Sequence, residues 1–512
     1  MSNLTHYGGF DDASPFRKKE IVYPPSKLCK PEPGETSYLC YGGNFLPLSK
    51  ARGHSLILGM TRSGKTHLMR ASMSFAASNL RDGIDSLISF DFKGLDFPFL
   101  SFFADRKGIP LYFFNVSDKR SWAIDIAKDS GGYSTFLWEL AQLLIPNEKE
   151  SEDKKNFFKR ATQCIIYACM IALTEQLNLD WGLHDVLNLA LSKTEELSAF
   201  FQQSPEALAI AESFLMSPCN ETIGNIRASL MAEISQIMPI AANQYHTPKE
   251  RWIGINEIIN SGGILLVGHD SLTKETSKVV MQLAFRQLYN QVNDLVDDSD
   301  RKIHLYIDEL AAMGEIPYLG EFLATTAGRG AMAHIASQSW GGLADIYGEN
   351  KLWNIIGNCE YLNILRCDSQ TADFAVNFFG TYKKIAPSVS FQFKDGLLSH
   401  TVSIEEKNED KYNKNNFTDL PIASYESGIN SYFRSELTGI RRLQVPGDWV
   451  NKYSQPPIDK SILPRIRKSQ NELSMPRWKP NVNIYNSSFA QQAYSVTGEG
   501  KQAFLESLQR DV

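Results

Sequence analysis

One stretch limits what this 512-residue chain can fold into more than any other: L-I-L-G-M-T-R-S-G-K-T-H-L-M, residues 56–69. The run S-L-I-L at 55–58 reads as a strand. It enters a loop bracketed by Gly59 and Gly64, and a helical pattern follows from Lys65 to about Leu80. Gly59-Met60-Thr61-Arg62-Ser63-Gly64-Lys65-Thr66 fits G-x-x-x-x-G-K-[ST]. In such a loop the backbone N–H groups converge at a helix N-terminus, where unpaired amides and the helix dipole favour an anion. Lys65 then reaches the β- and γ-phosphates, and the Thr66 hydroxyl holds Mg²⁺. All eight residues are read as binding a nucleotide, with ATP and Mg²⁺ as cofactors.

A second stretch supplies acids. I-H-L-Y-I-D-E at 303–309 is an apolar strand with two carboxylates at its C-terminal end. Asp308 is expected on Mg²⁺, directly or through water, and Glu309 is expected to polarise the attacking water. The next apolar strand, H-I-A-S-Q, ends at Gln338, read as a contact to the γ-phosphate. Phosphoryl transfer also gains from a cation at that phosphate, often an arginine from a neighbouring subunit. Arg329, in T-A-G-R-G, and Arg366, ending N-I-L-R, are the candidates. Asp91 and Lys93, in F-D-F-K-G, end a strand read as a neighbour of the phosphate loop; they either line the site or form an internal ion pair. His269 and His334 read as core or edge histidines.

The rest of the chain divides by pattern. Residues 1–40 form a proline-rich extended arm. Residues 41–130 alternate strands and helices, as the first part of an α/β domain with a mainly parallel sheet. Residues 131–250 are helical throughout and read as an inserted all-α domain. Strands return over 251–446, which closes with hairpin elements, and 447–512 reads as a partner-binding or flexible tail. The net charge of −6 excludes a uniformly basic nucleic-acid binder, but a ring or channel can carry a local basic stripe. The seven cysteines show no C-x-x-C pair and read as reduced thiols. No basic and then apolar leader opens the chain. The most apolar segment, Cys164 to Leu173, is about half the roughly 18–20 residues of a membrane span and reads as a buried helix. A soluble, cytoplasmic protein is expected.

Five stretches, in order, resemble the type IV coupling proteins, the TraD/TraG-like P-loop ATPases of conjugation and type IV secretion. They are H-S-L-I-L-G-M-T-R-S-G-K-T, F-D-F-K-G, L-Y-I-D-E-L-A-A-M-G-E-I-P-Y-L, S-Q-S-W-G-G-L-A-D-I-Y-G and N-I-L-R-C-D-S-Q-T-A-D-F, and the resemblance covers about residues 41–380. It implies a RecA-like motor domain, a helical domain, and a homo-oligomer, a hexamer, that couples ATP hydrolysis to substrate transfer. Lys65, Thr66, Asp308, Glu309 and Gln338 fall on the family's nucleotide-site positions. The implied function is to recruit and translocate DNA, or a DNA–protein complex, for conjugative transfer. A relaxase or secretion components would be further partners, and any membrane contact would run through a partner. Two other jobs fit the same fold: a HerA/FtsK-like double-stranded DNA translocase in repair or defence, and a nucleotide-dependent adaptor of a protein-secretion complex.

Three features depart from the family pattern. The proline-rich arm stands where family members usually carry transmembrane helices. Arg62 replaces a loop glycine, which adds strain if that position needs φ > 0 and otherwise adds a cation at the rim. Arg329 lies two places nearer Gln338 than the family arginine.

Overall fold

The computed structural model describes residues 21–146, 153–215, 220–297, 300–394, 397–456, 458–459 and 461–476. Short apolar runs build one ten-stranded sheet: β1 Val22–Tyr23, β2 His54–Leu58, β3 Ser86–Asp91, β4 Leu111–Phe114, β5 Gly263–Gly268, β6 Ile303–Ile307, β7 Ala331–Ser337, β8 Cys359–Leu365, β9 Ile429–Ser435 and β10 Gly439–Val445. The order across the sheet is β1-β10-β9-β8-β2-β7-β6-β3-β5-β4. Neighbours from β8 to β4 all pair in parallel. Strands β2, β3, β5, β6 and β7 are buried along their whole length, as expected of a parallel sheet covered on both faces. Antiparallel β9 and β10 extend one edge, and β1, from the proline-rich arm, adds parallel to β10.

This order places β7 between β2 and β6. The glycine loop after β2, Gln338 after β7 and the acids after β6 therefore emerge side by side at the C-terminal ends of parallel strands. Helix α1, Lys65–Asn79, follows the loop and buries Leu68, Met69, Met73, Ala76 and Ala77 in the same core as Ile57, Tyr306 and Met332.

The C-terminal half divides more finely than its sequence suggests. Of the hairpin elements expected there, β9 and β10 do extend the edge of the main sheet, but the strands that begin at Thr381 do not. Thr381–Lys394 and Leu397–Asp410 pair only with each other, as a separate two-stranded sheet, because β9 already occupies the free edge of β8. The expected tail boundary at 447 is not a break either. Helix Gly447–Ser454 docks on α1, where Ser74 Oγ donates to Tyr453 O (2.6 Å) and His67 Nδ1 meets Ser454 Oγ (3.1 Å). The Trp449 and Tyr453 rings pack against Phe45, supplying burial that the polar composition conceals. Further on, Arg465 reaches buried Asp270 (3.3 Å) and the carbonyls of Lys93 (3.3 Å) and His269 (3.0 Å). The outer ends of the arm and tail, 1–20 and 477–512, lie outside the described residues.

Ile126–Glu250 forms a second compact unit, together with residues 468–476. The insertion thus starts five residues earlier than 131. It is all-α, and its longest helices are Asp153–Leu177 and Asn220–His246. Ile165, Ile166, Cys169, Met170 and Leu173 of the first are buried. Trp181 is buried as well, its indole N–H donating to Thr174 Oγ1 (3.0 Å). Among the described residues no helix is long and apolar enough to cross a membrane.

Candidate nucleotide site

The loop after β2 is hung from its neighbours by its first two amides. Gly59 N–H donates to Ser337 O (3.2 Å), and Met60 N–H to Arg366 O (2.9 Å). A Cβ at Gly59 would lie 2.7 Å from Ser63 Oγ and 2.8 Å from Leu365 Cβ, so only glycine lets the loop close. Gly64 caps α1 at φ 100°, against the Ile429 side chain of β9. The first-turn N–H groups of Lys65, Thr66 and His67 have no acceptor within the helix.

Arg62 has φ 65°, so the strained alternative holds, and its side chain is also exposed. A non-glycine residue in this region costs about 1 kcal/mol. Arg62→Gly is expected to raise stability by about that amount, read as a shift in the urea midpoint at constant slope. Arg62→Ala keeps the Cβ and is expected to gain nothing.

Lys65 lies back across the loop. Its Nζ donates to Gly59 O and, at 3.5 Å, to Met60 O. Burial lowers its pKa, while the Glu309 and Asp308 charges oppose that shift. Glu309 is oriented by β7: its Oε1 accepts from Ser337 Oγ (3.1 Å) and from Gln338 N–H (3.3 Å). The Gln338 side chain is exposed beside it.

Strand β3 is not the neighbour of the loop strand that the sequence suggested. It pairs with β6 and β5, and β6 and β7 separate it from β2. The side chain of Lys93 crosses that gap. Its Nζ donates to Thr66 Oγ1 and to Asp308 Oδ2 (2.7 Å). Asp91 is not its ion-pair partner. The buried Asp91 carboxylate accepts the N–H groups of Lys93 (3.0 Å), Gly94 (2.7 Å) and Asp96 (2.8 Å), stapling the loop after β3. Burial and the Asp96 charge push its pKa up. Asp96 in turn accepts from Arg70 Nε (2.9 Å), tying α1 to that loop, a pair that no motif announced.

The two candidate arginines part company. Arg366 follows β8 and adjoins the loop through its carbonyl, and its Nε is buried with no partner among the described residues. Arg329 precedes β7, at the opposite end of a seven-residue strand, about 20 Å from the site of its own chain. It is held there by Asp297 (3.2 Å) and Asn293.

These groups fit a phosphate chain with a hard divalent ion. Ser63 Oγ and Asp308 Oδ1 are buried without partners among the described residues, beside the unpaired helix amides and the Thr66 hydroxyl. No group of three His, Cys, Asp or Glu residues forms a protein-only metal cage among the described residues. The Thr66 hydroxyl and the Asp308 carboxylate suit Mg²⁺, which takes one or two protein ligands with waters and phosphate oxygens.

A parallel sheet with the glycine loop and the acid pair flanking one intervening strand defines a RecA-like P-loop nucleotide-binding fold. Residues 39–413 match the family model described as the type IV secretion-system coupling protein DNA-binding domain, and the chain belongs to that family. Its fold is that of the bacterial conjugative coupling protein TrwBdeltaN70 in an unbound form, with TM-score 0.64 at 15% identity over 85% of this chain and 92% of that one. The plasmid coupling protein TrwB in complex with ADP and Mg²⁺ matches with TM-score 0.61, and with a non-hydrolysable ATP analogue 0.62; in each case identity is 15% over 85% of this chain and 93% of that one. No curated protein sequence matches the chain.

Proposed function

We propose that the protein is an ATP-hydrolysing, coupling-protein-like motor that recruits and moves DNA or a DNA–protein complex. The observation that carries this reading is the convergence of Lys65, Thr66, Asp308, Glu309 and Gln338 at adjacent strand ends. Mg²⁺ held by Thr66 and Asp308 would neutralise charge on the β- and γ-phosphates. The first-turn amides of α1 cradle the phosphates, and Lys65 turns from the loop carbonyls to the β/γ oxygens. Glu309, fixed by Ser337 and the Gln338 amide, accepts the proton of the attacking water. The Gln338 side chain lies where a γ-phosphate contact is needed. Arg366 is the cation assigned to the loop of its own chain.

DNA as substrate is supported by the family's description, and Mg²⁺–ATP by the ligands of TrwB. The working form is a homo-oligomeric ring, a hexamer. Relaxase or secretion components are delivered or docked, and membrane contact runs through a partner.

Glu309→Gln tests the site. The variant is expected to bind a labelled ATP analogue with Mg²⁺ as the wild type does, while phosphate release falls by about 10²-fold or more. Turnover at the wild-type rate would remove Glu309 from the mechanism. Native mass spectrometry with the analogue, with and without DNA, reports ring formation and its DNA dependence together.

A further inference from the structure

We infer that Lys93 is a built-in competitor of the divalent ion: its ammonium bridges Thr66 and Asp308, and must withdraw before the metal–nucleotide complex seats. This inference rests on the nucleotide-site reading above. Lys93 Nζ donates to Thr66 Oγ1 and to Asp308 Oδ2 (2.7 Å), the hydroxyl and carboxylate that suit Mg²⁺. Mg²⁺ needs its oxygens at about 2.0–2.1 Å. An ammonium hydrogen-bonded to the same two oxygens cannot stay there, by volume or by charge.

The surroundings favour a swing of the side chain over a movement of the chain. The backbone of Lys93 is clamped at both ends, its N–H on Asp91 Oδ1 (3.0 Å) and its carbonyl on Arg465 Nη2 (3.3 Å). The side chain beyond is about half exposed and carries a flexible four-carbon stem. Withdrawal therefore needs torsions of one side chain only.

The acids explain why a cation is placed here. Asp308, Asp96 and Glu309 cluster at the strand ends. Burial raises the proton affinity of Asp96 and its Arg70 partner lowers it; beyond these, the Asp308 charge raises it and Lys93 lowers it. Lys93 thus stabilises an acidic cluster at the expense of metal affinity. A bare divalent ion must displace the ammonium unaided. A metal–nucleotide brings phosphate charge that can receive the displaced lysine. The device sets the metal requirement of the site and biases it against free ions.

The test is the metal dependence of binding, read without turnover. Fluorescent ATP-analogue binding is titrated with Mg²⁺, and Mn²⁺ binding without nucleotide is followed by electron paramagnetic resonance. The proteins are wild type, Lys93→Met and Lys93→Arg, with Lys93→Gln replacing Lys93→Met if that variant does not fold. In the neutral variant the half-saturating Mg²⁺ concentration is expected to fall about tenfold, and Mn²⁺ to bind more tightly to the same degree. Lys93→Arg is expected to stay near the wild type. An unchanged or higher metal requirement in the neutral variant overturns the competitor role. Failure of every protein, the wild type included, to bind the analogue at any Mg²⁺ concentration instead sinks the nucleotide-site reading beneath it.

Discussion

Lys65→Ala is expected to lower ATP turnover about 10²–10³-fold in a protein that remains folded. Lys65 is the first residue of α1, 8% exposed, and its ammonium is the cation nearest the loop carbonyls. Alanine is the best helix former, so the start of α1 is preserved. What disappears is one preorganised donor aimed at charge that develops on the phosphates, a loss of about 10²–10³-fold in rate. Stability is expected to hold, because removing a desolvated charge offsets the lost hydrogen bonds to Gly59 and Met60. Steady-state phosphate release, circular dichroism and a melting curve check the three parts. A Lys65→Ala protein that turns over at the wild-type rate would sink the site assignment.

The second large effect lies at the other end of the strands and concerns pH. His54, His304 and His334, from β2, β6 and β7, are each at most 2% exposed. His334 stacks on Tyr306 (4.4 Å) and faces His304 (5.8 Å), and Ser55 Oγ lies 3.1 Å from its Nδ1. His54 Nδ1 accepts the Ala333 amide (2.9 Å), so that ring is held neutral. Burial lowers the pKa of His54 and of His304 to about 4, and that of His334 well below its ordinary value. The unfolded chain binds these protons near pH 6.5, and the folded chain does not. Stability is therefore full above about pH 6.5 and is lost as pH falls from there toward 4. For one such histidine, a pKa lowered to about 4 corresponds to roughly 3 kcal/mol, and the close contacts make the three non-additive. Urea midpoints between pH 7.5 and 5 are expected to fall steeply in the wild type and less steeply in His304→Leu. Parallel profiles for the two proteins would count against the cluster as the source.

What was legible in the chain was what depends on neighbours in sequence. The glycine loop, its lysine and its threonine lie within eight residues, and the strand before and helix after follow from local periodicity. The acid pair after β6 and Gln338 after β7 were readable for the same reason: an apolar strand with a polar end declares which end carries chemistry. The helical insertion showed itself by a change of period. Composition misled in the tail, where two aromatic rings one turn apart outweigh a polar background.

Arg62 shows where local reading stops. Its type could be read, but its φ of 65° depends on how the loop hangs from β7 and from the end of β8. Lys93 shows it more sharply. Its partners Thr66 and Asp308 are 27 and 215 residues away, and it meets them only because the strand order sets β3 beside β6. The sequence by itself determined the chemical groups and the strand ends that present them, because hydrophobic periodicity and turn chemistry act over a few residues. Only the tertiary structure decided which groups meet, which arginine adjoins the loop and which cation bridges Thr66 and Asp308. Those contacts follow from strand order, which the packing of the whole sheet selects.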